Sequence, residues 1–363
     1  MPDPLRALIT AAVHQASLLR ITLRLEPAML RVPRPTASPD STAPFPPPHP
    51  VSTDHPNLAA SCRTVVLDPV QRQARRLEIA IWEAAQRGEI HYPDIVLHLE
   101  TAHGLEHYSV LDLPQRLHDT TLQGSLLDGT PFLHTAIGRA LAAACPERAT
   151  ALFEHAPLTL LLGDRRLPGL IRSEIVGLDS RLAECPTGDD KQRDSHLCRQ
   201  ERSKRPAPVP GPEPILPASR PDDAVIREAR LTSVLSLTAL RRLRFEDAEG
   251  RYQQARDQAG QLVIAALGLY SLVVMLDMGC HLPSGYELIA QEVPRLDIVG
   301  STPEARTTLP LEREATLALL RDSLEAARES GLGWRPEVLH TYADERLPSM
   351  LSGRRALRVA EDA

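Results

Sequence analysis

At 363 residues, with 42% apolar and 24% charged side chains, the chain is long enough for a large core and has an ordinary globular composition. A formal charge of −6 excludes a uniformly basic nucleic-acid-binding body, and aromatic residues at 3% leave any base-stacking surface sparse. Five cysteines, an odd number, do not make a disulfide framework and suit a reducing cytoplasm, the expected location.

The first residues, MPDPLRALITAAVHQASLLR, lack the basic start of a signal peptide. Residues 4–18 carry apolar positions at helical spacing. LRITLRL (Leu19–Leu25) then alternates with period two, which predicts an edge-type strand with Arg20, Thr22 and Arg24 on one solvated face. Residues 33–56 are rich in proline and are expected to run extended over the surface as a loop. Cys62–Asp68 reads as a strand ended by Pro69. VQRQARRLEIAIWEAAQRGE is a helix with Val70, Leu77, Ile81 and Ala84 as its apolar stripe. Arg72, Gln73, Arg75 and Arg76 crowd its first turns. Cations there oppose the helix dipole by ~0.3–1 kcal/mol each, so either an anion lies beside them or they pair with Glu78 or Glu83.

Pro93–Leu99 predicts another strand. The following ETAHGLEHYS is read as a polar loop, because His98, His103 and His107 with Glu100 and Glu106 match no metal or acid–base spacing. Turn, helix and strand signals follow one another without a break from Ser125 to Asp179. Asp128–Pro131 reads as a turn, with Thr130 as N-cap and Pro131 at the first helical position. Ile137, Ala140, Leu141 and Ala144 repeat at helical spacing until Cys145-Pro146 stops the helix. A short helix, Ala149–His155, leads to Leu158–Leu162, read as a buried strand, and Ile171–Leu178 is a further strand.

Residues 180–229 are polar and proline-rich, an insertion or long loop that divides the chain into 1–179 and 230–363. Cys185, His196 and Cys198 lie in it without a fourth ligand or a C-x-x-C pair, so no zinc site is expected. Thr232–Leu237 reads as a strand. Leu240, Leu243 and Phe245 then anchor a turn of helix presenting Arg241, Arg242 and Arg244, whose guanidinium forks suit phosphate. Gln254–Met278 is a long helix. Its apolar part, 262–276, falls short of the ~20 residues of a membrane span and is read as a core helix. Residues 283–290 and 296–299 read as sheet pieces, Leu311–Ser330 as an amphipathic helix closed by Gly331 and Gly333, and the tail beyond Leu351 as frayed.

Signals for catalysis are missing: there is no GxSxG elbow, no Walker A loop, no GxGxxG after a strand and no HExxH. No enzyme activity, metal or cofactor is expected.

Several pieces carry a family resemblance when taken in order. They are FPPPHP (Phe45–Pro50), VVLDPVQRQARRLE (Val65–Glu78), PDIVLHL (Pro93–Leu99), SLLDGTPFLHTAIGRAL, ATALFEHAPLTLLLG, IRSEIVGLD, TSVLSLTALRRLRF and AALGLYSLVV. Together they resemble the backbone subunit of type I CRISPR effector complexes of subtype G (formerly U), in the RAMP superfamily. The resemblance implies an α+β fold with an RRM-like (ferredoxin-like) core and large insertions. It implies a homo-oligomer stacked along a CRISPR guide RNA in a Cascade-like complex, with other effector subunits and, through the guide, target DNA as partners. In that setting Arg72, Gln73, Arg75, Arg76, Arg139, Arg172, Arg241, Arg242 and Arg244 are the candidate contacts to RNA phosphate and sugar. The chain departs from the family in the helix DPVQRQARRLE, where serine and asparagine are usual, in the short stretch before IRSEIVG, and in 180–229. Two alternatives stay open. One is a ribonuclease using His134 or His155, and the other is a protein–protein scaffold without nucleic acid.

Overall fold

A computed structural model describes residues 4–28, 31–32, 63–101, 104–113, 115–164, 167–179, 224–282, 287–300, 306–335 and 337–343. The proline-rich segment 33–56, residues 180–223 with Cys185, His196 and Cys198, His103, and the tail beyond Leu351 lie outside the described residues.

Helix α1 (Pro4–Gln15) leads into strand β1 (Leu18–Pro27), in which Leu19, Ile21, Leu23 and Leu25 alternate inward and are buried. After β2 (Arg31–Val32), strand β3 (Arg63–Asp68) runs directly into helix α2 (Val70–Gln86). Pro69 stands at the N-cap of α2, where its missing N–H costs nothing, and Leu77, Ala80, Ile81 and Ala84 form the buried stripe. Strands β4 (Ile95–Thr101) and β5 (Gly104–Ser109) form a hairpin. Then come α3 (Thr120–Gln123), β6 (Leu126–Leu127), β7 (Thr130–Pro131), α4 (Ala136–Ala142), α5 (Thr150–His155), α6 (Pro157–Leu162) and β8 (Ile171–Asp179). The remainder is β9 (Ala224–Ser236), α7 (Leu237–Leu240), α8 (Gln254–Asp277), β10 (Cys280–His281), β11 (Glu287–Ala290), β12 (Arg295–Val299), β13 (Arg306–Pro310), α9 (Arg313–Glu329) and β14 (Leu339–Tyr342).

The main sheet is antiparallel in the order β3–β8–β9–β1. The far edge of β1 is shared: β12 pairs with Leu18–Thr22 and β11 with Leu25–Pro27. Strand β13 continues the sheet beyond β12. The chain is thus α+β. With α2 in the connection from β1 to β8 and α8 in the one from β9 to β11 and β12, the order is compatible with an RRM-like core. Strand β9 begins at Ala224, inside the stretch read as insertion, and pairs with both β8 and β1, so the two parts of the chain close one sheet. A smaller sheet, β5–β4–β14–β6–β7, brings β14 parallel to β4.

Helix α8 is the core. Every residue from Gly260 to Met275 is buried, with α9 and α2 packed beside it. It is long and apolar enough to cross a membrane by length and composition, and 83% of its most apolar window is buried inside the fold. Each fully buried leucine or valine contributes about 1.5–3 kcal/mol, so this helix dominates the driving force of its half of the molecule. Two glycines allow its close packing. A Cβ at Gly260 would meet the Phe245 ring at 2.5 Å, and one at Gly268 would lie 3.1 Å from Leu161.

The structure corrects five local readings. Strand β1 is not an edge but is paired on both sides, with β9 on one and with β11 and β12 on the other. Leu158–Leu162 is helical, because Pro157 at the first helical turn sets φ for a helix and an apolar run this short has no decisive period. Thr130 and Pro131 form a strand paired with β6, and the N-cap of α4 is Thr135, whose Oγ1 accepts from Gly138 N at 2.9 Å. ETAHGLEHYS is not a loop, since β5 returns along β4 with His98 opposite His107. The helical turn after β9 is Leu237–Leu240, so Arg241, Arg242 and Arg244 follow it rather than ride on it.

Candidate nucleic-acid interface

Because β1, β8 and β9 each alternate, the main sheet has a buried face and an outer face left half-buried or exposed. The register sorts the outer side chains into rows across the strands. One row is Thr308, Asp297, Arg20, Val234 and Arg172. The next is Pro310, Arg295, Thr22, Thr232 and Glu174, and a third is Arg24, Arg230, Val176 and Val66. Arg306, opposite Val299, heads a row on the other side, and Glu26 and Glu228 lie beyond Arg24 and Arg230. Six arginines therefore share this surface with the carboxylates of Asp297, Glu174, Glu26 and Glu228, and Glu292 and, on β11, Glu287 lie at its margin, so the face is rich in arginine without a net excess of charge. These rows hold no aromatic side chain. Such a surface can hold phosphates and sugars and offers no aromatic ring on which to stack a base.

Some of this charge is already paired. Glu228 lies 3.3 Å from Arg24 and 3.6 Å from Arg230, and Arg295 pairs with Glu292 at 3.0 Å. Arg20 and Arg306 share Asp297, which sits with no exposed surface between them. Burial works against the Asp297 charge, but Thr308, Arg306 and Arg20 outweigh it and hold the carboxyl below its ordinary range. Arg172 is exposed and makes no side-chain hydrogen bond or ion pair among the described residues.

Of the nine residues singled out in the sequence, only Arg172 lies on this face. Arg139 and Arg242 are likewise exposed and unpaired among the described residues, on α4 and after α7. Of the cluster on α2, Gln73, Arg75 and Arg76 are engaged by the fold, whereas Arg72 is half-buried and makes no side-chain hydrogen bond or ion pair among the described residues. Gln73 is fully buried, donating to Asp68 Oδ2 at 2.5 Å and accepting from Ser173 Oγ at 2.9 Å, with Ser233 Oγ donating onward to Ser173. Burial pushes the Asp68 carboxyl up, against the pull of Gln73, Arg76 and Arg72. Arg76 donates to the carbonyls of Gly279 and His281 at 2.6 and 2.7 Å. Arg75 pairs with Asp112 at 2.5 Å and Glu78 at 3.3 Å, on the wall of a cavity of about 650 Å³ between α2, Leu111–Leu113, Leu162–Asp164 and Leu167–Gly169. The two arginines on that wall, Arg75 and Arg116, are consumed by Glu78 and Asp112.

Beyond β9, Arg241 caps α1 by donating to the carbonyls of Val13 and Ala16 at 2.9 and 2.8 Å, where a cation also favours the helix dipole. Arg244 pairs with Asp257 at 2.7 Å.

The histidines fall in separate places. His134 is exposed in the turn before α4. His155 is buried in α5, and burial together with the Arg335 charge pushes it down to about 4. Neither has a carboxylate partner among the described residues. His98, His107 and His340 cluster on the small sheet, but no group of three or more His, Cys, Asp or Glu side chains among the described residues is arranged to hold a metal ion.

The signal for the outer face was the alternation itself. LRITLRL already placed Arg20 and Arg24 together, and its partner ARLTSVL repeats the pattern with Arg230. Arg295 and Arg306 carried no such mark, because β12 and β13 are short.

Comparison with known proteins shows the class first: residues 32–181 match a family of CRISPR-associated proteins. The family is described as CRISPR-associated protein GSU0053, and the match, over less than half of the chain, supports a CRISPR-associated protein here. No curated protein matches the chain.

Proposed function

We propose that this chain is the guide-RNA-binding backbone subunit of a type I CRISPR interference complex, of the subtype G kind. In this reading it acts in the cytoplasm and has no catalytic role. Copies stack along the guide beside other effector subunits and hold it for pairing with target DNA. The observation that supports this best is the outer sheet face, arginine-rich, free of aromatic side chains and belonging to a chain similar to CRISPR-associated proteins. A subunit that presents a guide for pairing must grip the backbone and leave base edges free, and this face has the chemistry for that task.

The test is RNA binding by the full chain across a salt series. Each phosphate contact to a single strand contributes about 0.7 to the slope of log K against log salt. Arg24→Gln, Arg172→Gln and Arg230→Gln combined should weaken binding and flatten that slope by about 2. A wild-type protein that purifies without nucleic acid from cells making its guide, and binds no RNA, would overturn the reading. Cleavage of the RNA, lost in His134→Ala, would favour the ribonuclease instead.

A further inference from the structure

We infer that Asp297 is a positioning residue, holding the guanidiniums of Arg20 and Arg306 side by side as a two-armed phosphate clamp on the outer sheet face. This rests on the guide-RNA reading above.

Three side chains converge on the Asp297 carboxylate with four hydrogen bonds. Its Oδ2 accepts from Nε and Nη2 of Arg20, both at 3.2 Å, and from Nη2 of Arg306 at 2.6 Å, while Oδ1 accepts from Thr308 Oγ1 at 2.7 Å. Two guanidiniums fixed to one oxygen atom lie next to each other, although they come from β1 and from the edge strand β13. Like charges at that range repel, so they need the carboxylate between them.

Asp297 is fully buried, but its partners are not, since the side chains of Arg20 and Arg306 keep 30% and 49% of their surface. A guanidinium has five N–H donors. Arg20 spends two on Asp297 and Arg306 one, and no other described group takes the rest. The cluster therefore carries one net positive charge and an unspent fork on each arm. Bidentate forks of this kind match phosphate oxygens, and arms already ordered lose less entropy on binding. Arg172 stands in the same row, two strands from Arg20 across Val234 and so roughly 10 Å away, in place for the next phosphate of a strand lying across the sheet.

A purely structural account treats Asp297 as a counter-ion that pins the β12–β13 hairpin to β1. The two accounts predict opposite signs. Removing a carboxylate from an RNA-binding face should tighten binding if only net charge matters, and weaken it if the carboxylate holds the clamp. The probe is a labelled single-stranded RNA of mixed sequence, titrated with the full chain at two salt concentrations. Asp297→Asn is expected to weaken binding by roughly 5- to 10-fold despite the gain of one positive charge. Should Asp297→Asn not fold, Arg306→Gln and Arg295→Gln provide a matched comparison. Each removes one exposed arginine of the same face, but only Arg306 is an arm of the clamp. A larger loss for Arg306→Gln supports the inference. Equal losses, or tighter binding by Asp297→Asn, overturn it while leaving the guide-RNA reading standing. No binding by the wild type overturns both.

Discussion

Arg313 and Glu89, 224 positions apart, form an ion pair in which one arm, Arg313 Nη2, bridges both carboxylate oxygens at 2.6 and 2.8 Å. Tyr270 of α8 and Arg87 at the end of α2 donate to the same carboxylate, and the other arm of Arg313 reaches Asp277 at 2.8 Å. One side chain thus ties α2, the core helix α8 and α9 together. Burial alone would raise the Glu89 carboxyl. The hydrogen bonds from Arg313, Arg87 and Tyr270 outweigh it and hold the group at about 2. A depressed carboxyl stabilises the fold fully above its unfolded value of about 4.3, and that contribution fades as pH falls through this value towards 2. Glu89→Gln should cost about 1–2 kcal/mol at neutral pH, kept modest because the pair is partly solvated. Urea midpoints at pH 7 and pH 3 check this, and the gap between variant and parent should narrow at the lower pH.

A second pH effect, of the same sign but in another window, belongs to His98. The ring is buried, shares a hydrogen bond of 2.9 Å with His340, meets His107 edge-on at 4.4 Å and stacks on Tyr342 at 4.6 Å. Burial first, then the charges of His107 and His340, push its pKa down. The fold therefore prefers neutral His98. Stability is complete above the unfolded value of about 6.5 and is lost as pH falls below it. Between pH 7.5 and 5.5 the melting temperature should drop further in the parent than in His98→Leu. Equal drops would mean that the cluster titrates without strain.

The elements legible in the sequence were those with a full period to show. β1, α2, β8, α8 and α9 each repeat their pattern over several turns or pleats, and their expected bounds fall within a few residues of those observed. What was not legible needed tertiary information. Nothing in GLEHYS announces a partner for β4, and Leu158–Leu162 is too short to distinguish a helix from a strand. The candidate contacts suffered most. Arginine at a helix start is equally suited to an anion or to an internal carbonyl, and for Arg75, Arg76, Arg241 and Arg244 the fold itself supplies the partner. Only the sheet register, which one strand cannot show, gathers Arg20, Arg24, Arg172, Arg230, Arg295 and Arg306 on one surface.

Gln73 and Arg172 separate the two kinds of candidate. Replacing Gln73 by leucine strands the buried Asp68 carboxylate and breaks the chain through Ser173 to Ser233. The expected loss is about 2–4 kcal/mol, because a buried charge is left without its hydrogen bond. RNA affinity per folded molecule should stay unchanged. Arg172→Ala should do the reverse, shifting stability by no more than about 0.5 kcal/mol while weakening RNA binding. Denaturant titration and RNA titration on the same two variants read both axes, and a destabilised Arg172→Ala with normal binding would move it to the structural class.

Gly138 gives a prediction whose sign runs against helix propensity. In an exposed helix interior, glycine to alanine stabilises by about 1 kcal/mol. Gly138 is in the first turn of α4, directly over the short helix at Phe132–His134, and a Cβ there would lie 1.9 Å from the Phe132 carbonyl oxygen. Thr135 locks that spacing, since its Oγ1 donates to the Phe132 carbonyl at 2.7 Å and accepts from Gly138 N at 2.9 Å. Gly138→Ala must therefore push the two turns apart and lose both bonds. A destabilisation of about 2 kcal/mol or more is expected, against about 1 kcal/mol for Thr135→Ala, which removes the cap but leaves the backbone in place. Thermal melts of the two variants decide it. A Gly138→Ala protein as stable as its parent would show that the turns separate freely, and that the cap at Thr135 holds α4 less firmly than its geometry implies.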